Sequence, residues 1–406
     1  MKKHLALALV LAALVSMTAC HKLAADDLTK NVKPSKEAPQ SVAEENSEDA
    51  LVRLSDLGLR LLKLELDEKN PLLSPLSISQ ALSMTANGAA GNTLSQLEAL
   101  LGADTASLNA FFAGQESGKQ LQSANSIWLK DDESLHVEET FLQQNADCFE
   151  AGIFSAPFDA STKDAINTWT SEHTDGLIPE ILDQIPQDAV LYLVNALSFD
   201  ARWEKEYKTS DVWDGRFTNA AGEETHVDFL HGEETLYLKD NGAQGFLKPY
   251  AGGRYAFAAL LPEEGTNVKD YVNSLTGERL HAILSTPEET VVEIAMPKFK
   301  AEFSAELSES LMALGMTDAF EGEKADFSRL GSSAEGNICI SRVLHKTFLQ
   351  LDEAGTKAGA ATAVEMKTEG AMEYPYYVRL DRPFLYMIVD LETNLPVFLG
   401  VLTDAA

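Results

Sequence analysis

No regular alternation of strand and helix runs through this chain, which excludes parallel-sheet folds built from repeated strand-helix units. Its globular part opens with helical patterning: Leu51, Leu54, Leu57, Leu61 and Leu64 fall at three- and four-residue steps on one face. Asn70 and Pro71 end it. A second helix is predicted behind Ser74, a natural cap, with Pro75 at its first position and a run through Ala81, Leu82 and Met84 to Gly88. Helical patterns over 165–177 and 304–314 are scattered among β-rich runs at 190–199, 255–261, 291–296, 338–351, 384–389 and 397–402. The expectation is an α+β fold. With no repeat of fixed period and no low-complexity linker after residue 50, one large domain is expected over 50–406.

Composition narrows the function classes. At 406 residues and 45% hydrophobic content the chain has the makings of a packed core. Lys+Arg of 32 against Asp+Glu of 63 leaves a formal charge of −31, which repels nucleic acid, so no nucleic-acid partner is expected. The excess acid reads as a solubility device. Three cysteines are too few for a disulfide scaffold, and Cys148 and Cys339 are expected as buried free thiols.

The amino terminus carries its own message. Lys2 and Lys3 precede an apolar stretch over 5–15 that is about half the length needed to cross a bilayer, so residues 1–19 read as a signal peptide. The run Met17-Thr18-Ala19-Cys20 resembles the lipobox of bacterial lipoproteins, in which the cysteine thiol accepts a diacylglyceryl group. On that reading Cys20 anchors an exported bacterial protein to a membrane, on the periplasmic side or the cell surface; ordinary secretory cleavage beside an incidental cysteine is the alternative. Residues 20–49 hold Pro34 and Pro39 among polar and small residues with no aromatics, and read as a disordered tether with a reach of roughly 30 Å.

Enzymatic constellations are missing from the sequence: there is no H-E-x-x-H, C-x-x-C or G-x-S-x-G, and the eight histidines lack metal-ligand spacing. The stretch 114–120 resembles a phosphate loop but is one residue short and ends in Gln120, so it reads as a turn. His226 and His231 read as solvated. No catalytic group, cofactor or metal is expected.

The informative stretch is 352–367. Read at period two, Thr356, Ala358, Ala360, Thr362, Val364 and Met366 share one face, every member small or apolar. All three charges from Thr356 onward, on Lys357, Glu365 and Lys367, lie on the other face. This patterning describes a strand with a definite buried face, yet its Ala and Gly content holds a strand poorly. It fits a segment that waits outside a sheet and enters later. It also fits an Ala-rich edge strand or a short helix.

The same stretch resembles the hinge of the reactive-centre loop of serpins, and the resemblance extends over nearly the whole chain after residue 50. Asn70 through Ser77 and on to Gly88-Ala89-Ala90-Gly91-Asn92-Thr93 is similar to the family's second helix and its following turn. Ile166, Asn167, Trp169, Thr174 and Gly176 resemble the helix lying across the main sheet. Asn195, Phe199 and Trp203 match the strand under the insertion point, and Pro297-Lys298-Phe299 another strand. His345, Lys346, Arg382-Pro383-Phe384, Phe398 and Gly400 complete the carboxyl-terminal pattern.

What the resemblance implies is a serpin fold: three β-sheets, about nine helices and an exposed loop over about 353–381. A target protease attacks that loop as substrate and is trapped as an acyl-enzyme when the cut hinge enters the main sheet. Carried over by residue, the hinge is Glu353, Gly355, Thr356, Ala358, Ala360 and Thr362. The sheet-opening cluster is Ser74, Ser77, Asn195 and His345, and Lys298 with Glu353 matches an ion pair near the loop's entry. Lys357 departs from the family's usual Glu, on the outward face. Seventeen residues from Glu353 end at Glu369, placing the scissile bond before Gly370; Lys367 and Met372 are the alternatives. The expected partner is a protease, the expected state a monomer. A non-inhibitory binding or carrier role is the alternative to inhibition, favoured less because the inward face lacks charge and proline.

Overall fold

The computed structural model describes residues 24–35, 47–114, 120–149, 152–356 and 374–406. Among them are nine α-helices and three β-sheets of eight, nine and two strands, an α+β architecture. The first helix, Ser47–Leu64, buries Leu54, Leu57 and Leu61 of the expected face, while Leu51 is half-buried and Leu64, at the helix end, is exposed. Ser74 caps the next, Pro75–Ala86, by accepting the Ser77 N–H at 3.1 Å on its hydroxyl, with Pro75 at the first helical position.

The eight-stranded sheet positions the site. Its order runs from Asp26–Asp27 through Gly152–Ala156, Leu121–Lys130 and Leu191–Phe199 to Arg342–Leu351, with Phe299–Glu306 on the far side of Arg342–Leu351. Every residue of Leu191–Phe199 is buried, because both faces of the sheet are covered. One face joins the large core shared with the nine-stranded sheet. The other carries a second core, where Ile166 and Trp169 of the helix Ala160–His173, with Ile178 and Leu182 beyond it, cover Tyr192, Val194, Leu344 and Phe348.

At its centre this sheet is parallel: Leu191–Phe199 and Arg342–Leu351 run the same way in seven paired positions, from Arg342↔Tyr192 to Phe348↔Ser198. Beyond Phe199 the first strand continues as Ala201–Arg202, and there the two part. Gly355–Thr356 fills the fork, antiparallel to both, with Thr356 opposite Leu351 on one side and Ala201 on the other.

Three expectations need correction. The pattern at 304–314 is not one helix: Phe299–Glu306 is a strand whose Phe299, Ala301 and Phe303 point inward at period two, and only Ser308–Ala313 is helical. Residues 24–35 are not a free tether. Asp26–Asp27 pairs with Phe154 and Ser155 on the sheet edge, Leu28 packs on the core, and the Ser35 hydroxyl donates to Asp147 at 2.8 Å. An unpaired strand edge offers backbone partners that composition does not advertise. Cys339, expected buried, is half-buried, whereas Cys148 is buried as expected.

Candidate functional site

Asp352 builds the root of the hinge. Its carboxylate accepts the N–H groups of Ala354 and Gly355 at 2.8 and 3.2 Å, and its own N–H reaches the Gly355 carbonyl at 2.9 Å, closing a tight turn back toward the sheet. Gly355 is required there: its φ is +154°, and a Cβ would come within 2.1 Å of the Ala201 carbonyl oxygen. Trp203 and Tyr207 hold the turn from below, the Trp203 N–H donating to Ala354 O, its indole to Asp352 O and the Tyr207 N–H to Glu353 O, each at 2.9 Å.

Glu353 and Lys298 meet as expected, Oε1 to Nζ at 2.8 Å. Burial pushes the Glu353 carboxyl up, but the Lys298 ammonium and a backbone N–H outweigh it and hold the group below its usual range. Under this pair lies a second that sequence reasoning missed. Lys248 and Glu234 are 2.7 Å apart, both buried, with the ammonium 4.4 Å from the Tyr207 ring centre and 5.1 Å from that of Trp203. Burial drives both toward neutrality, raising Glu234 and lowering Lys248. A lone Lys and Glu in two β-rich runs carry no sequence mark of such pairing.

Six residues down the sheet from the hinge lies the polar cluster. Asn195 and His345 are register partners on the two parallel strands, and Asn125 is the partner of Asn195 on its other side, so the three form a row across the sheet. Above the row stands the start of the helix Pro75–Ala86. The His345 ring takes the Ser74 N–H on Nε2 at 3.2 Å and donates from Nδ1 to Asn195 Oδ1. The Ser77 hydroxyl donates to Asn125 Oδ1 at 3.0 Å, and Asn195 Nδ2 reaches both Ser77 Oγ and Asn125 Oδ1. Burial pushes His345 down to about 3, so the ring is neutral and this tautomer serves both bonds. All four expected members therefore meet. Asn125, missed, was signalled by an Asn inside a strand pattern at 121–130.

The chemistry of this arrangement is that of a seam. A parallel ladder is somewhat weaker per residue than an antiparallel one, and a strand entering between the two parallel strands makes two antiparallel ladders in place of one parallel. Buried polar groups along such a seam are costly to leave unpaired, so a strand entering there would have to offer them new partners. Ala358, Ala360, Thr362, Lys367, Glu369, Gly370, Met372 and Cys20 lie outside the described residues. His226 is exposed as expected, but His231 stacks on Trp213 at 4.3 Å between ring centres. No group of three metal-ligating side chains occurs among the described residues.

Known proteins give the arrangement its context. The family model described as Serpin (serine protease inhibitor) matches residues 53–405. Serpin B9 of Homo sapiens is 32% identical over 365 residues, covering 84% of this chain and 96% of its own. Serpin B6 of Macaca fascicularis is 31% identical, over 88% of this chain and 98% of its own. Among solved structures, the thermophilic serpin tengpin in its native state is 39% identical with a TM-score of 0.88, over 94% of this chain and 99% of its own. Against the latent state of tengpin the TM-score is 0.78, over 90% of this chain and 100% of that one. The family model spans most of the chain, and relatives above 30% identity cover more than four fifths of it: the chain belongs to the serpin family.

Proposed function

We propose that the protein is a suicide-substrate inhibitor of serine endopeptidases, with cysteine proteases as a further target class. The observation that carries this reading is the hinge dipeptide Gly355–Thr356 wedged into the fork between strands that are otherwise parallel. An insertion already begun has a register, and the register continues. Six residues beyond Thr356 is Thr362; six before Leu351 is His345, and six before Ala201 is Asn195. Thr362 thus enters between Asn195 and His345, which are each other's partners now, and its hydroxyl gives the parted row a polar replacement.

The outward face agrees. By the same count Gly359, Ala361 and Ala363 pass opposite Phe348, Lys346 and Leu344, where the helix Ala160–His173 and the segment after it cover the sheet. Small side chains suit a strand that slides beneath a packed layer. Glu365 arrives opposite Arg342.

The protease serine Oγ attacks the carbonyl carbon of Glu369, the C–N bond to Gly370 breaks, and the Gly370 amine leaves with a proton. Hinge insertion then competes with water for the resulting ester. Loss of the parallel ladder is offset by two antiparallel ones and by burial of the inward face, on the order of 10 kcal/mol in all. The native form is accordingly a kinetic trap. We place the inhibitor on a bacterial membrane, periplasmic or cell-surface, through a lipid at Cys20, and acting as a monomer.

Incubation with a panel of serine proteases tests the function. A covalent complex that survives boiling in detergent is the expected result; cleavage of the loop without any complex would establish a non-inhibitory binding or carrier role instead.

A further inference from the structure

We propose that Tyr250 is a positioning residue for loop insertion: its hydroxyl holds Thr356 in the first inward seat of the main sheet and so sets the register in which the hinge enters. The proposal deepens the inhibitory reading and rests on it.

Tyr250 belongs to the nine-stranded sheet side of the core, directly after the strand Ala243–Pro249. Its ring is fully buried, stacked on Trp203 with centres 4.4 Å apart and planes 13° from parallel, and met edge-on by Phe199 at 4.9 Å. Its backbone is tied as well, the N–H donating to Tyr255 O at 2.9 Å. A ring clamped on both sides has one place for its hydroxyl. That place is 2.7 Å from Thr356 Oγ1, and Thr356 is also fully buried.

Among the described residues no other hydrogen bond reaches either hydroxyl, so each satisfies the other. Burial keeps the Tyr250 phenol protonated far above neutral pH, so the bond holds at every physiological pH. The match is selective. Gly355 has no side chain to offer, and a shift of one residue the other way would turn the Lys357 ammonium into the core. A tyrosine rooted in one sheet and a threonine entering another make a pin that admits one register.

The pair also divides labour with the rest of the hinge root. Lys298, Trp203 and Tyr207 hold the turn at 352–354 mainly through backbone groups and Glu353, and those bonds do not distinguish one inward side chain from another. The Tyr250 hydroxyl, by contrast, hydrogen-bonds the side chain of the first inserted residue.

The test combines Tyr250→Phe, which keeps the stacked ring, with Thr356→Val, which keeps the branched shape, and Thr356→Ser, which keeps the hydroxyl. Two readouts are taken on the full chain: hydrogen exchange of the 352–356 amides in the uncut protein, and the number of inhibitor molecules consumed per covalent complex with a protease. Tyr250→Phe and Thr356→Val should each speed exchange at 352–356 about tenfold, the size of one net buried hydrogen bond. Amides of the strand Arg342–Leu351 should not change. Each should raise the consumption ratio several-fold, the double variant no further than either single, and Thr356→Ser should match wild type in both. Additive effects of the two single changes, or wild-type exchange and consumption in Tyr250→Phe, would overturn the proposal. Should Tyr250→Phe fail to fold, Thr356→Val against Thr356→Ser decides alone. If wild type forms no covalent complex with any protease, the inhibitory reading fails, while exchange still reports whether the seat exists.

Discussion

Lys298 holds Glu353 at 2.8 Å across the mouth of the hinge, joining the strand Phe299–Glu306 at its start to the turn that feeds Gly355 into the sheet. Both side chains are about a third exposed, so the pair is worth at most about 1 kcal/mol. Reversal does more than delete it. Glu353→Lys sets two ammonium groups together at the mouth, and the apparent melting temperature should fall by about 2–4 °C, read by differential scanning fluorimetry. The Glu353 carboxyl is held below its ordinary range, so its contribution is complete at neutral pH and is lost as pH falls through its lowered value.

His345 predicts a second acid response. Its folded value is lowered from the ordinary histidine range to about 3 because the ring is buried, so below about pH 6.5 the unfolded chain takes up a proton that the folded one refuses. Stability should therefore decline from about pH 6.5 downward to pH 3, at up to about 1.4 kcal/mol per pH unit. Urea midpoints measured across that range should fall more steeply for wild type than for His345→Gln, and parallel curves would contradict a neutral buried ring.

Register can be tested by charge exchange. Glu365→Arg would bring a guanidinium opposite Arg342 and should cut the yield of covalent complex roughly threefold. Adding Arg342→Glu should restore it. Thr356→Arg, by contrast, sets a charge in a fully buried seat and should turn the inhibitor into a substrate.

Cleavage itself should stabilise the molecule. Cut between 367 and 372, the hinge is free to fill the seam, and the apparent melting temperature should rise by tens of degrees, since about 10 kcal/mol rivals the whole stability of an ordinary domain. Calorimetry on intact and nicked protein, with the cut mapped by mass spectrometry, decides this; an ordinary surface loop loses stability when nicked.

Replacing Cys20 with Ala should move the protein from membrane to soluble fractions by removing the acyl acceptor. Unchanged fractionation would leave the cysteine without that role.

Much of this was legible from the chain because its signals are local. The cap at Ser74 and Pro75 and the two-faced pattern beginning at Thr356 each need only a few neighbouring residues to state their case. The ion pair of Lys298 with Glu353 and the row of Ser77, Asn195 and His345 were found through family resemblance, since no spacing joins positions so far apart. What stayed hidden depends on three-dimensional coincidence alone: Tyr250 under Thr356, Lys248 beside Glu234, Asn125 completing the row. The strand at Phe299–Glu306 hid for another reason, because its alternation of Phe and Ala with Lys, Glu and Ser runs into a genuine helix within a few residues.

The docking of Asp26–Asp27 would, with the proposed anchor at Cys20, set which way the molecule stands. Asp26 pairs with Ser155, which lies level with Leu129 and Leu191, while the hinge seat at Ala201 is ten positions further along the same strand line. At about 3.3 Å per residue the two points are roughly 33 Å apart, at opposite ends of the sheet. From Cys20 to Asp26 the chain spans at most about 20 Å however it runs. If Cys20 carries the proposed lipid, that lipid would root the far pole and leave the hinge seat at the end of the sheet away from the bilayer. A captured protease, drawn along the length of the sheet, would end its journey pressed between its captor and the membrane.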